Sequence, residues 1–123
     1  MAQTVDKLKV ARAVVAKIQE DEKLQAVQSR DILGLDSPNK ISIKGTEKKY
    51  VPDIIAFNNE GITIYEIVMD DEAITSEKWH ILSLYARNKN GNLYLVVPDF
   101  LRERIKNEIR KNEINAGIIY FNT

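Results

Sequence analysis

Two acidic residues could do chemistry here, because each interrupts an otherwise apolar segment. The stretch "VPDIIAFNNEGITIYEIV", residues 51–68, places Asp53 in the first of two apolar runs and Glu66 in the second. A carboxylate in a buried strand is costly unless a cation or hydrogen-bond donors compensate it. Two buried carboxylates side by side would raise each other's pKa, and a divalent cation removes that conflict because hard cations prefer carboxylate oxygens. The pair therefore predicts metal binding or metal-assisted catalysis.

The turn between the two runs decides whether the acids meet. The segment "NNEG", residues 58–61, favours a tight hairpin, since Asn and Gly are common turn residues. If Asn58 pairs with Gly61, Asp53 lies directly opposite Glu66 on one face, with β-carbons about 4.5 to 5.5 Å apart. Two alternatives stay open: a Lys or Arg from a neighbouring element neutralises the acids, or the turn slips by one residue and separates them.

The pattern of apolar residues predicts an α/β fold with a mixed central sheet flanked by helices, in the order α-β-β-β-α-β-α-β. Thr4 is a candidate cap for the first helix. The predicted helices cover about 4–28, 75–87 and 98–113, and the predicted strands 40–45, 50–57, 62–69, 93–97 and 117–121.

Composition limits the class of protein. A chain of 123 residues with 44% hydrophobic and 29% charged residues is expected to form a single globular domain over 1–123. The 18 basic and 18 acidic residues balance, which excludes a strongly basic nucleic-acid coat. The absence of cysteine fits a reducing compartment, and neither a signal peptide nor a membrane span is recognisable. The expectation is a cytoplasmic protein without a membrane partner.

Pro52-Asp53 in one predicted strand, a short turn, and Glu66-Ile67-Val68 in the next resemble the motif of the PD-(D/E)XK nuclease superfamily. The order of elements over about residues 4–98 is similar as well. This resemblance implies a restriction endonuclease-like fold and a Mg²⁺- or Mn²⁺-dependent phosphodiesterase. Asp53 and Glu66 would be catalytic and would hold the metal, which activates water and offsets charge on the phosphate. DNA or another nucleic acid is the implied partner, and a homodimer is compatible with the chain.

The chain departs from that motif at its third position, because Val68 stands where the family has lysine. Lys78 is the best replacement: it shares a helical face with Leu82 and Tyr85, and a cation in the first turn of a helix opposes the helix dipole. A solvated lysine is the alternative there. The weaker candidates lie on the preceding strand and turn, namely Lys44, Lys48 and Lys49.

Some members of the superfamily carry a further metal-binding acid on the first helix. Glu22 continues the apolar face of the predicted first helix and is the candidate here, the alternative being a helix end that reaches solvent. The preferred function is a nuclease-like nucleic-acid or protein binding module with an incomplete catalytic set. The alternative is a Mg²⁺-dependent DNA endonuclease whose catalytic lysine, Lys78, has moved to the helix.

Overall fold

The computed structural model describes residues 6–42 and 47–122, which form a five-stranded sheet with helices on both faces. The α-helices are α1 (Lys7–Ile18), α2 (Ser76–Asn88) and α3 (Arg102–Lys111). The strands are β1 (Leu24–Ser29), β2 (Ile54–Asn58), β3 (Ile62–Ile67), β4 (Asn92–Pro98) and β5 (Gly117–Phe121). Short 3₁₀ turns at Asp71–Ala73 and Asp99–Leu101 precede α2 and α3. Within these described ranges, no helix is both long and apolar enough to cross a membrane.

The sheet is mixed, with its strands in chain order from β1 to β5. β1, β2 and β3 pair antiparallel, whereas β4 runs parallel to β3 and β5 parallel to β4. Parallel neighbours need a crossover connection, and α2 and α3 supply the two that this sheet requires. The predicted α/β class with a mixed sheet between helices is therefore confirmed.

Alternating side chains of the strands build one apolar core on each face of the sheet. On one face, strand residues pack with α2 and α3. This core includes Ile55, Ile62, Ile64, Leu93, Leu95, Trp79, Leu82 and Ile105. On the other face, strand residues pack with α1. This core includes Ile54, Ala56, Ile67, Val96, Val10 and Val15. Because β2, β3 and β4 contribute to both cores, they are the covered centre of the sheet.

The β2–β3 hairpin has the predicted register. Ile54 pairs with Tyr65 and Ile55 with Ile64, so continuing the ladder by one residue sets Asp53 opposite Glu66. The Asn58 N–H donates to the Gly61 carbonyl at 3.0 Å, and the Asn58 side chain accepts the N–H of Gly61 at 3.0 Å. These hydrogen bonds hold the turn closed and exclude the one-residue slip.

The first helix is shorter than predicted, and this changes which residues form the first strand. α1 ends at Ile18, and residues 24–29 form β1 at the edge of the sheet. Gln25 and Ala26 of this edge strand are exposed, so the segment lacks the clean alternation that identifies a strand from sequence. Helix and strand are hard to tell apart in such a stretch, and the predicted element order survives only because β1 replaces the strand expected at 40–45.

Two other predictions concern the ends of these elements. In the segment expected to be a strand at 40–45, Ile41 makes an isolated bridge with Tyr50, while positions 43–46 lie outside the described residues. Thr4 also lies outside them. The N-cap of α1 is Asp6, whose carboxylate accepts the Lys9 N–H at 2.8 Å.

Candidate functional site

The polar cluster lies at one end of the sheet, where β1 and β3 end and β2 begins. Ser29 at the end of β1 pairs with Ile54 at the start of β2, and Ile67 at the end of β3 pairs with Val96 of β4. Asp53 immediately precedes β2 and Glu66 is the penultimate residue of β3, so antiparallel pairing brings both acids to this end. The strand ends are rigid because both faces next to them are packed, and they fix the positions of the two carboxylates.

Asp53 and Glu66 are in direct contact through the backbone. The Asp53 N–H donates to Glu66 Oε2 at 2.6 Å, and the Ile67 N–H donates to Asp53 Oδ2 at 2.8 Å. Asp53 is 2% exposed and Glu66 is 3% exposed. The structure therefore brings the two predicted acids together in a nearly solvent-free setting, where each carboxylate depends on the groups around it.

Lys78 reaches the cluster from the first turn of α2. Its Nζ lies 2.7 Å from Glu66 Oε1, and its side chain is 16% exposed. Ile62, Ile64 and Glu66 occupy every second position of β3 and therefore share one face of the sheet. Ile62 and Ile64 pack in the core next to α2, so Glu66 points toward that helix. An ammonium in the first turn opposes the helix dipole, and the buried carboxylate of Glu66 compensates for this placement.

Lys7 reaches the cluster from the first turn of α1, on the opposite face of the sheet. Its Nζ lies 2.8 Å from Asp53 Oδ1 and 3.8 Å from Asp31 Oδ2. Asp31 follows β1, and its Oδ2 is buried without a hydrogen-bond donor among the described residues. Three carboxylates and two ammonium groups therefore meet at this end of the sheet, and neutralisation by lysine, one of the alternatives left open by the sequence, is what the geometry displays.

The Glu66 carboxyl titrates far from its ordinary range. Burial is the main cause and the neighbouring Asp53 carboxylate adds to it, so that the pKa of Glu66 rises from 4.5 to about 7 despite the opposing effect of Lys78. Near neutral pH, Glu66 is poised between its protonated and ionised forms. A cation that requires an ionised carboxylate would therefore compete with a proton at this residue.

The cluster offers the oxygen ligands that a Mg²⁺ or Mn²⁺ ion requires. Within residues 6–42 and 47–122, no group of three or more Asp, Glu or His side chains is arranged to hold a metal ion. Mg²⁺ nevertheless is commonly bound through one or two carboxylates, with water and substrate phosphate completing its shell. Asp53 and Glu66 supply two such carboxylates, and the orphaned Asp31 Oδ2 lies 3.8 Å from the same Lys7 ammonium that contacts Asp53.

Glu22 does not join the cluster. It is exposed in the turn between α1 and β1, because α1 ends four residues earlier than this position. Leu24, two residues further on, pairs with Asn58 at the far end of β2, and that end lies about 13 Å from Ile54. The helix thus directs its first turn, and not its end, toward the acids, and the predicted metal-binding role of Glu22 has no geometric support.

The other lysine candidates are placed away from the acids, except Lys44, which lies outside the described residues. Lys48 forms an exposed ion pair with Glu77 at 2.8 Å, and Lys49 is exposed. Val68, where the motif resemblance predicts a lysine, is 1% exposed in the core that contains Trp79. Of the lysines considered from sequence, Lys78 is the one that contacts a site acid.

Lys7 and Asp31 are site residues that the sequence interpretation missed. The signal for Lys7 was present, since it is a cation in the first turn of a helix that carries no acid in that turn. The same argument had selected Lys78. Asp31 is not identified from the sequence because the pattern predicts a helix up to about residue 28, where the structure has β1.

A well-formed cavity lies away from this cluster. It has a volume of about 520 Å³ and lies between α1 and the middle of the sheet, next to Val14, Tyr65, Val96 and Phe121. Neither Asp53 nor Glu66 lines it. The chemistry of buried, opposed charges belongs to the sheet end, so we locate the candidate functional site there and not in this apolar cavity.

Comparisons with known proteins support the architecture at a coarse level. No protein-family model and no curated protein matches the chain. Among solved structures, protein VC1899 from Vibrio cholerae is similar, with a TM-score of 0.55 and 19% sequence identity over 92% of this chain. The chain spans 29% of the length of VC1899. At this level of identity the likeness extends to the fold alone.

Proposed function

We propose that this chain is a metal-dependent phosphodiesterase that cleaves DNA or another nucleic acid, with the restriction endonuclease-like fold and with Lys78 in place of the motif lysine. The observation that carries the proposal is the contact of Lys78 Nζ with Glu66 Oε1 at 2.7 Å. It supplies from a helix the ammonium that Val68 cannot supply from the strand. Asp53, Glu66 and Lys78 then form a complete set of two acids and a lysine.

The chain's own residues have distinct roles in this proposal. A bound Mg²⁺ or Mn²⁺ would supply Lewis acidity toward a phosphate oxygen and lower the pKa of water. Asp53 and Glu66 would hold that ion through their carboxylate oxygens, kept in place by the N–H groups of Ile67 and Asp53. Lys78 would stabilise negative charge that develops on the phosphate, and it also orients Glu66.

Cleavage assays with matched lysine variants test the proposal. We expect the wild-type protein to cleave plasmid DNA, single-stranded DNA or RNA when Mg²⁺ or Mn²⁺ is present, and not when a chelator is added. Lys78→Met should lower the rate about a hundredfold to a thousandfold, the usual cost of losing one electrostatic stabiliser of a transition state. Lys48→Met is the control, because Lys48 forms only an exposed ion pair with Glu77. Equal rates for the Lys78 and Lys48 variants would contradict a catalytic role for Lys78.

A non-hydrolytic nucleic-acid or protein binding module is the second candidate, and the charge balance favours it. Asp53 and Glu66 each already contact one lysine ammonium, so these two carboxylates have counter-charges without an ion. In that case the wild-type protein would cleave none of the three substrates with either metal. The cluster would then have a structural role, in which its ion pairs hold α1 and α2 against the sheet.

A further inference from the structure

Lys7 and Lys78 differ in how firmly they are held at the cluster. The Lys78 side chain is 16% exposed and contacts Glu66, whereas the Lys7 side chain is 39% exposed and is shared between Asp53 and Asp31. A lysine with this exposure has a flexible four-carbon stem that can swing its ammonium into water. Lys7 is therefore the cation that can leave without opening the core.

The formal charges of the cluster also favour the exchange of one lysine. Asp31, Asp53 and Glu66 in their ionised forms carry one more charge than Lys7 and Lys78 neutralise. If a divalent cation replaced one ammonium, the remaining lysine and the ion would balance the three carboxylates. A divalent cation added beside both lysines would instead leave an excess of positive charge in a poorly hydrated setting, which is costly.

Position points to the same lysine. The Lys7 Nζ lies 2.8 Å from Asp53 Oδ1, which is the oxygen left free by the Ile67 N–H, and 3.8 Å from the orphaned Asp31 Oδ2. An ion that binds Asp53 through this oxygen has to take the place of that ammonium. Lys78, in contrast, contacts Glu66 on the side of α2 and need not move.

We propose that Lys7 is an exchangeable internal counter-ion, which occupies the position of the divalent cation beside Asp53 Oδ1 and near Asp31, and moves into solvent when that cation binds. This inference rests on the proposed function, since it concerns the same metal. Lys7 then lowers the metal affinity. The net binding free energy is the free energy gained from the ion's contacts minus the free energy lost when the lysine contacts break. Without the ion, Lys7 remains the counter-charge of Asp53, and the first turn of α1 senses metal occupancy.

Isothermal titration of the full chain with Mn²⁺ tests this exchange. In a buffer at about pH 8, above the ordinary pKa of every carboxyl group, Lys7→Met should bind Mn²⁺ tighter than the wild type by about tenfold or more. The reason is that no charge-assisted contact has to be broken. Lys9→Met, an exposed lysine in the same helix, should match the wild type. A purely structural role of Lys7 would not produce tighter binding.

The outcomes separate this inference from the proposed function. If Asp53→Asn abolishes Mn²⁺ binding but Lys7→Met binds equally or more weakly than the wild type, the exchange is wrong and the metal site stands. If neither the wild type nor Lys7→Met binds Mn²⁺, both proposals are wrong. Thermal unfolding of Lys7→Met and Lys7→Gln, with and without Mn²⁺, accompanies the titration. If both Lys7→Met and Lys7→Gln stay unfolded even with Mn²⁺, the ion cannot replace the lysine. That result also overturns the proposed exchange of Lys7 for the cation.

Discussion

At the scale of single residues, the surroundings of Glu66 stabilise both its protonated and its ionised form. Its carboxyl is almost fully buried, accepts the Asp53 N–H and contacts Lys78, so the ionised form has partners. Burial and the Asp53 carboxylate still raise its pKa to about 7. A proton and the Lys78 ammonium are therefore competing partners for the same oxygens, and under the proposed function a divalent cation would be a third. This competition is typical of functional sites, where perturbed pKa values concentrate.

The raised pKa of Glu66 predicts how stability depends on pH without metal. Between the ordinary value of 4.5 and about 7, the folded protein keeps a proton that the unfolded chain has already released. In chelator-containing buffer, the free energy of unfolding should therefore fall as pH rises through this window and level off above it. The contribution of Glu66 is on the order of 3 to 4 kcal/mol, since the rise from 4.5 to about 7 is worth about 1.4 kcal/mol for each pKa unit.

Urea unfolding at several pH values checks this prediction. Glu66→Gln cannot titrate, so the fall between pH 4.5 and about 7 should be smaller in this variant than in the wild type. Glu77→Gln is the control, because Glu77 is exposed and pairs with Lys48 outside the cluster. A Glu66→Gln profile as steep as that of the wild type would show that other groups cause the dependence.

At the scale of the elements, the cluster depends on which helix or strand supplies each charge. β3 supplies Glu66, but it cannot also supply a lysine two residues later, because Val68 is buried in the core against α2. α2 supplies Lys78 instead, from its first turn. The ammonium that contacts Glu66 therefore comes from a neighbouring helix, while position 68 of the chain is a core residue.

Val68→Lys tests this division between strand and helix. An ammonium at this position would enter the apolar core that contains Trp79, and Glu66, two residues before it, already contacts Lys78. We expect the free energy of unfolding to fall by about 3 kcal/mol or more, the scale of a buried unpaired charge. Val68→Met, which adds volume but no charge, should cost less, about 1 to 3 kcal/mol. Urea denaturation measures both, and equal stability of the two variants would contradict the burial argument.

The same elements show what the sequence could and could not predict. The turn at residues 58–61 and the alternation of β2 and β3 were local signals, so the register and the meeting of Asp53 with Glu66 followed from them. β1 was missed because an edge strand with exposed residues such as Gln25 has no strong period. Lys7 was missed because its partner is 46 positions away, and such a contact depends on how α1 packs on the sheet. The position expected for Glu22 is wrong because the first helix ends at Ile18 and does not continue to residue 28. Glu22 therefore lies in an exposed turn and not on the apolar face of that helix.

At the scale of the whole molecule, the cluster joins three layers. α1 contributes Lys7 from one face of the sheet, α2 contributes Lys78 from the other face, and the sheet contributes Asp53 and Glu66 between them. Unfolding of either helix would remove a partner from a buried carboxylate. An ion bound at this joint would therefore stabilise the folded molecule as a unit, by mass action on the native state.

Thermal unfolding with and without Mn²⁺ tests that linkage. At a Mn²⁺ concentration about a hundredfold above its dissociation constant, the wild type should gain about 2.7 kcal/mol, seen as a rise of several degrees in Tm. Asp53→Asn should lose that rise. In chelator, Asp53→Asn should also be less stable than the wild type by about 1 to 3 kcal/mol, because Lys7 and the Ile67 N–H lose a charged acceptor.

Asp71→Asn is the matched control for this experiment. Asp71 is largely exposed and lies 4.0 Å from Arg104, outside the cluster, so its removal should leave both the Tm and the Mn²⁺ response unchanged. An equal Mn²⁺ response in the wild type, Asp53→Asn and Asp71→Asn would mean that the ion binds elsewhere. A response lost in Asp53→Asn alone would locate the ion at the end of the sheet, where α1, α2 and the hairpin meet.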